Sequence, residues 1–135
     1  MQNVIFLVGL PGSGITTFAK EYFPSSIYID NISDFQSLHS KKHYITVVVS
    51  HHNLCFSEVR ESAELKIKQH FPGTNIHHVN FSSTPALCIN NVAKRDDKRV
   101  ISSSYIREVS NRYKPHIGKN SHYVYCHNSS GWQYS

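Results

Sequence analysis

The sequence predicts one α/β domain, a parallel β-sheet carrying helices on both faces. Three observations point to it. Strand-like and helix-like segments alternate along the chain. The strand candidates are continuous apolar or β-branched runs, as in strands buried on both faces. A glycine-rich stretch, "GLPGSGITT" (Gly9 to Thr17), lies between the first strand candidate and the first helix candidate.

The elements follow in order. "NVIFLV" (Asn3 to Val8) is the first strand, and "TTFAKEYF" (Thr16 to Phe23) a short helix that ends near Pro24. "SIYID" (Ser26 to Asp30) is a second strand, and "NISDFQSLHS" has room for a short helix. "YITVVVS" (Tyr44 to Ser50) is a third strand. "SEVRESAELKIKQHF" (Ser57 to Phe71) is helical: Val59, Ala63, Ile67 and Phe71 form an i, i+4 apolar row, and Glu64 and Lys68 a charge pair on another face. Pro72 and Gly73 stop it. "NIHHVNF" (Asn75 to Phe81) is a fourth strand, "PALCINNVAKR" (Pro85 to Arg95) and "SSYIREVSNRY" (Ser103 to Tyr113) are helices, and "HYVYC" (His122 to Cys126) is the last strand. The domain is expected to span 1–126, with 127–135 as a loose C-terminal tail.

Bulk properties agree with a core-forming domain. At 135 residues and 39% hydrophobic content, with 12% aromatics, a buried core is feasible without staples. No stretch approaches the ~20 apolar residues of a membrane span, and nothing resembles a signal peptide, so a cytoplasmic location is expected. Cys55, Cys88 and Cys126 are scattered and odd in number, which suits reduced thiols. The net charge of +5 favours anionic partners without singling one out.

The glycine stretch matches G-x-x-x-x-G-K-[ST] at Gly9, Gly14 and Thr16, with Ile15 in place of the lysine. Glycines allow positive φ and close backbone approach, so the N–H groups of Gly12 to Thr17 can converge on phosphate oxygens at a helix N-terminus. The expected nucleotide contacts are Gly9, Pro11, Gly12, Ser13, Gly14, Ile15, Thr16 and Thr17, with the Thr16 hydroxyl placed to ligate Mg²⁺ brought in with ATP. Ile15 cannot follow charge as it moves in phosphoryl transfer. By analogy with deleting one preorganised donor, its loss costs about 10²–10³ in rate.

The blocks "GLPGSGITTFAKEYF", "NISDF", "VVVSHHNLCFSEVR" and "NNVAKRDDKRV", in that order, resemble the 5′-hydroxyl polynucleotide kinases of bacteriophage and bacterial RNA repair, over about residues 1–117. The resemblance implies a P-loop NTPase/kinase fold with a short basic lid. It implies ATP or another purine nucleotide as ligand and DNA or RNA 5′ ends as partners. It implies Asp34 as the base toward a 5′-hydroxyl and Arg95, in the lid, as a contact to the triphosphate. Read alone, Asp34 or Ser33 suits a helix N-cap equally well, and "KRDDKR" suits a solvated loop. Lys94, Lys98 and Arg99 are possible helpers of Arg95, and Asp30 a less favoured base.

Three positions depart from the resemblance. Ile15 replaces the lysine, His51 stands where an aspartate follows the third strand, and Asn91 aligns with an earlier lid arginine. Phosphoryl transfer is therefore expected to be weakened or lost, with a non-catalytic binding or regulatory module, or a kinase for a small metabolite or nucleoside monophosphate, as the alternatives. A protonated His51 is one candidate substitute for the missing cation; relaxed constraint is the other account. Arg60 is a weak candidate for approaching a nucleic-acid strand. A zinc site is not expected: His77 and His78 alternate across a strand, and His51, His52 and Cys55 lack a fourth ligand.

Overall fold

A computed structural model of the chain describes residues 2–24, 27–29, 40, 43–93, 101–126 and 132–134. In chain order the elements are β1 (Asn3–Val8), α1 (Ile15–Tyr22), β2 (Ile27–Ile29), β3 (Thr46–Ser50), a 3₁₀ turn (His52–Cys55) and α2 (Ser57–His70). Then come β4 (Asn75–Phe81), α3 (Pro85–Ala93), α4 (Ser103–Arg112), β5 (Ser121–Cys126) and β6 (Trp132–Tyr134). The sheet order is β2-β3-β1-β4-β5-β6. Every pairing from β2 through β5 is parallel, and β6 closes the edge antiparallel to β5. The sequence reading places residues 132–134 in a loose tail; they form this edge strand instead.

β1 is central because its sequence suits two parallel neighbours. In register it pairs Val4 with Val47 and Ile76, and Val8 with Asn80. Alternation then sorts its side chains. Val4, Phe6 and Val8 enter one core layer with Val47, Val49, Ala63, Ile67, Cys88, Ile106 and Val109, which brings α2, α3 and α4 onto that face. Ile5 and Leu7 enter the other with Phe18, Ala19, Val48, Val79, Phe81 and Val124, under α1. Helices thus lie on both faces, as the sequence predicts.

The long helix keeps its apolar row but not its expected surface. Ala63 and Ile67 are buried and Phe71 packs at the margin. Glu64 turns inward to His78 (2.6 Å) rather than outward to Lys68, because α2 presents that position to a buried ring on β4. Arg60 is 4% exposed, and its Nη1 donates to the Leu54 carbonyl at 2.7 Å. The guanidinium therefore caps the end of the 3₁₀ turn from within, which removes it from any nucleic-acid surface. Helix α4 starts at Ser102, whose Oγ accepts from the Tyr105 N–H at 3.2 Å. Arg112 near its end lies 4.0 Å over the Phe56 ring and 3.0 Å from Glu58.

Truncating the buried row is expected to cost far more than truncating its exposed neighbour. Ile67→Ala should lower unfolding free energy by about 2–5 kcal/mol. Leu65→Ala, at a position 58% exposed, should stay within about 0.5 kcal/mol of wild type. Chemical denaturation of both variants checks the contrast.

Candidate functional site

The candidate site lies at the carboxyl ends of β1, β3 and β4, where ligands sit in parallel α/β sheets. β1 runs straight into the glycine stretch, which leads into α1. Gly12 has φ 88° and Gly14 φ 81°, both in the left-handed region that favours glycine. Two crowded points fix the loop. A Cβ on Gly12 would stand 2.4 Å from the Cys88 carbonyl oxygen, and one on Gly9 would stand 2.9 Å from the Phe81 Cβ. The loop is therefore pressed against α3 on one side and the end of β4 on the other.

Hydrogen bonds then orient the loop's carbonyls. The Ser13 N–H donates to Leu10 O at 3.1 Å. Asn91 Nδ2, from α3, donates to Gly12 O at 3.0 Å. Ser13 is buried, with Oγ 3.5 Å from Cys88 Sγ. With these carbonyls engaged, the opening turn of α1 carries no side-chain cap and no acidic residue. Its first N–H groups have no partner within the helix, and the dipole there favours negative charge. Thr16 and Thr17 are exposed on this turn. Gly9 to Thr17 thus form a tight turn from the central strand into an uncapped helix start.

Ile15 is not a bare gap in this turn. Its Cδ1 lies 3.2 Å from where a Gly9 Cβ would stand, and it packs against the core layer of Phe18 and Phe81. His51 is likewise committed. It is extended, and its Nδ1 accepts from the Asn53 N–H at 3.1 Å, which caps the 3₁₀ turn. Protonating Nδ1 would turn that acceptor into a donor and break the cap. The ring nitrogen nearest the backbone is thus engaged with the 3₁₀ turn, and this contact gives no support to His51 as a substitute cation. His51 stacks on His52 (centroids 4.1 Å), which meets Tyr105 edge-on at 5.2 Å. Burial, then the neighbouring His51, push the His52 pKa down to about 4. Burial raises the Cys55 thiol to about 12, which keeps it protonated near neutrality.

Asp34 and Arg95, with Asp30, Ser33 and the whole segment 94–100 in which a lid is expected, lie outside the described residues. Asn91 is described, and it holds the loop rather than facing a ligand. Sequence reasoning missed Tyr113. Its hydroxyl donates to Phe81 O at 2.8 Å and lies 3.2 Å from Val8 O, tying the ends of β4 and β1 at the root of the loop. A tyrosine ending an amphipathic helix gives no sequence signal for this. A small cleft of about 150 Å³ opens beside it, lined by Phe81, Ser83, Tyr123 and Val124 among others. A wider one of about 460 Å³ lies on the opposite face, by Ile5, Phe23, His77 and His122, away from the loop. His77 and His78 do alternate: His77 stacks at 6.4 Å with His122, whereas His78 faces Phe6.

No protein-family model matches the chain, and no curated protein matches it. Solved structures do. A gluconokinase from Sinorhizobium meliloti 1021 superposes with a TM-score of 0.61 at 14% identity, over 96% of this chain and 84% of that one. The chain therefore has the α/β fold of the P-loop kinases. Among the described residues, no helix is long and apolar enough to cross a membrane.

The lowered pKa of His52 links stability to pH. The folded state favours neutral His52, so its contribution is complete above the ordinary 6.5 and is lost as pH falls from there toward about 4. His77 and His116, also lowered chiefly by burial, act in the same direction. The guanidinium midpoint should fall between pH 6.5 and 4.5, and fall less steeply in His52→Gln. Parallel slopes for the two proteins would refute the assignment. Gly12→Ala should cost about 2–4 kcal/mol, from left-handed strain plus the Cys88 clash.

Proposed function

We propose that the chain binds a nucleoside triphosphate with its Mg²⁺ through the Gly9–Thr17 loop, and that phosphoryl transfer from it is slow or lost. One observation carries this reading: two left-handed glycines lead from the central strand into a helix that starts uncapped and without acidic side chains. Backbone N–H groups and the helix dipole supply anion affinity without a lysine. Mg²⁺ enters as part of the substrate. It prefers oxygen and keeps most of its waters, so the exposed Thr16 hydroxyl suits it, whereas His51, capped through Nδ1, does not. The cleft beside Tyr113 offers room near the strand ends for part of the nucleotide.

Where transfer occurs, the motif order supports a polynucleotide 5′-hydroxyl as acceptor, with Asp34 accepting its proton and Arg95 steadying the transferring group. The second reading is a binding or regulatory module with no turnover. The packing of Ile15 against Gly9 and the Phe81 layer favours it, since the position has become part of the core. A small-molecule acceptor draws its support from the name of the gluconokinase neighbour.

Calorimetry with ATP and Mg²⁺, followed by transfer of labelled phosphate to 5′-hydroxyl DNA, RNA and gluconate, tests this. Binding is expected, and its absence would refute the reading. Gly14→Ala should abolish binding, since the added Cβ strains a left-handed residue at the cradle. Transfer to DNA or RNA that disappears in Asp34→Ala supports the kinase; binding with no transfer to any acceptor supports the module. Ile15→Lys should raise any transfer rate by about 10²-fold.

A further inference from the structure

On the α2 face of the sheet, away from the phosphate loop, Glu64, His78 and His116 bring three ligand atoms within 4.8 Å of one another. They come from α2, β4 and the segment before β5. His78 is 2% exposed; its Nε2 meets Glu64 Oε1 at 2.6 Å, and its Nδ1 is buried without a hydrogen-bond partner. His116 belongs to a connection without regular structure, yet its backbone is clamped. Its N–H donates to Asn80 Oδ1 at 3.0 Å. Its carbonyl accepts from Asn80 Nδ2 (3.2 Å) and from the Tyr123 hydroxyl (3.0 Å). Asn80 is itself 2% exposed. Ser121 Oγ contacts His116 Nδ1, so Nε2 is the ring atom left to bind.

We propose that Glu64, His78 and His116 bind one borderline-soft divalent ion of the zinc class, with water completing a four-coordinate shell. Two imidazoles and one carboxylate suit zinc and suit Mg²⁺ poorly. A hydroxyl on the non-ligating ring nitrogen is the outer-sphere support such histidines use. The carboxylate is held low: burial would raise it, but the hydrogen bond and charge of His78 prevail.

The metal-free geometry defines what must move. The His78 and His116 rings are stacked face to face, 3.7 Å apart and 5° from parallel, so their lone pairs do not yet converge. A tilt of the His116 ring about its Cβ–Cγ bond redirects its lone pair while the clamped backbone stays in place. Bonds of about 2.0–2.1 Å in a tetrahedron separate ligand atoms by roughly 3.3 Å, so the Glu64–His78 contact opens and His78 offers its Nε2 lone pair as the neutral tautomer with its proton on Nδ1. Arg60 and Lys68 lie close enough to oppose a cation, which sets affinity below that of a dedicated zinc-finger site.

The site makes no use of the phosphate loop, so the proposal stands apart from the nucleotide reading. The test is titration of the chelator-treated full chain with ZnCl₂ by calorimetry, and with CoCl₂ by visible absorption. One equivalent should bind, and Co²⁺ should show the intense bands of a four-coordinate ion with nitrogen ligands. Glu64→Gln and His116→Ala should each remove this binding. Ser121→Ala should weaken it by about 10–100-fold. The double variant His77→Ala/His122→Ala should keep it. The chain has ten histidines, so adventitious binding must be separated. No binding, binding that survives Glu64→Gln and His116→Ala, binding lost in the double variant, or the pale spectrum of hydrated six-coordinate Co²⁺ would each overturn the proposal. The cobalt spectrum of the wild-type chain decides the matter even if a variant fails to fold.

Discussion

The close approach of Gly12 to the Cys88 carbonyl is the constraint on which the candidate site depends. At 2.4 Å from any Cβ, the helix leaves no room for a side chain, so the loop and α3 meet backbone to backbone. That contact lets Asn91 reach the Gly12 carbonyl and places Ser13 against Cys88. With its carbonyls engaged there, the loop leads directly into the uncapped start of α1. The shape of the loop is thus a consequence of helix packing as much as of glycine flexibility. It also follows that α3, which leads into the basic segment 94–100, is mechanically part of the loop.

A second set of contacts secures the other side. Tyr113 joins the carbonyl ends of β1 and β4, and three residues later His116 is held by Asn80 on β4. The connection from α4 to β5 is therefore fastened to the sheet at two heights. Buried Asn80 satisfies both the N–H and the carbonyl of a loop residue, the requirement a segment without regular structure must meet when it lies on a core face. The three hydrogen bonds at His116 make it the most constrained part of that connection, which is why a chemistry-bearing cluster can form on it.

Much of this was legible in the sequence. The apolar pattern gave the order of strands and helices, because a short continuous run such as "NVIFLV" differs plainly from the i, i+4 spacing in "SEVRESAELKIKQHF". The glycine pattern marked the turn from β1 into α1, since positive φ is found at Gly12 and Gly14 and few other residues tolerate it. Side-chain partners across the fold were not legible. Arg60 and Glu64 looked like surface charges on a helix, and only the packing of α2 on β4 and the 3₁₀ turn shows them turned inward. Tyr113 and Asn91 act over separations of 32 to 105 residues, beyond the reach of any local pattern. The edge strand at Trp132–Tyr134 is three residues long, too short to carry a period.

The two departures in the loop region share one physical character. Ile15, where the glycine motif has a lysine, packs into the Phe18–Phe81 layer; His51, after the third strand, caps a turn through Nδ1. Each side chain is held by a structural contact. The backbone of the loop does not depend on either side chain, because its shape comes from glycines, Asn91 and the wall of α3. Binding of a polyanion by N–H groups is a ground-state property that needs no charged side chain. Acceleration of transfer needs charge positioned for the transition state. The proposed reading, binding kept and transfer lost, follows from that difference.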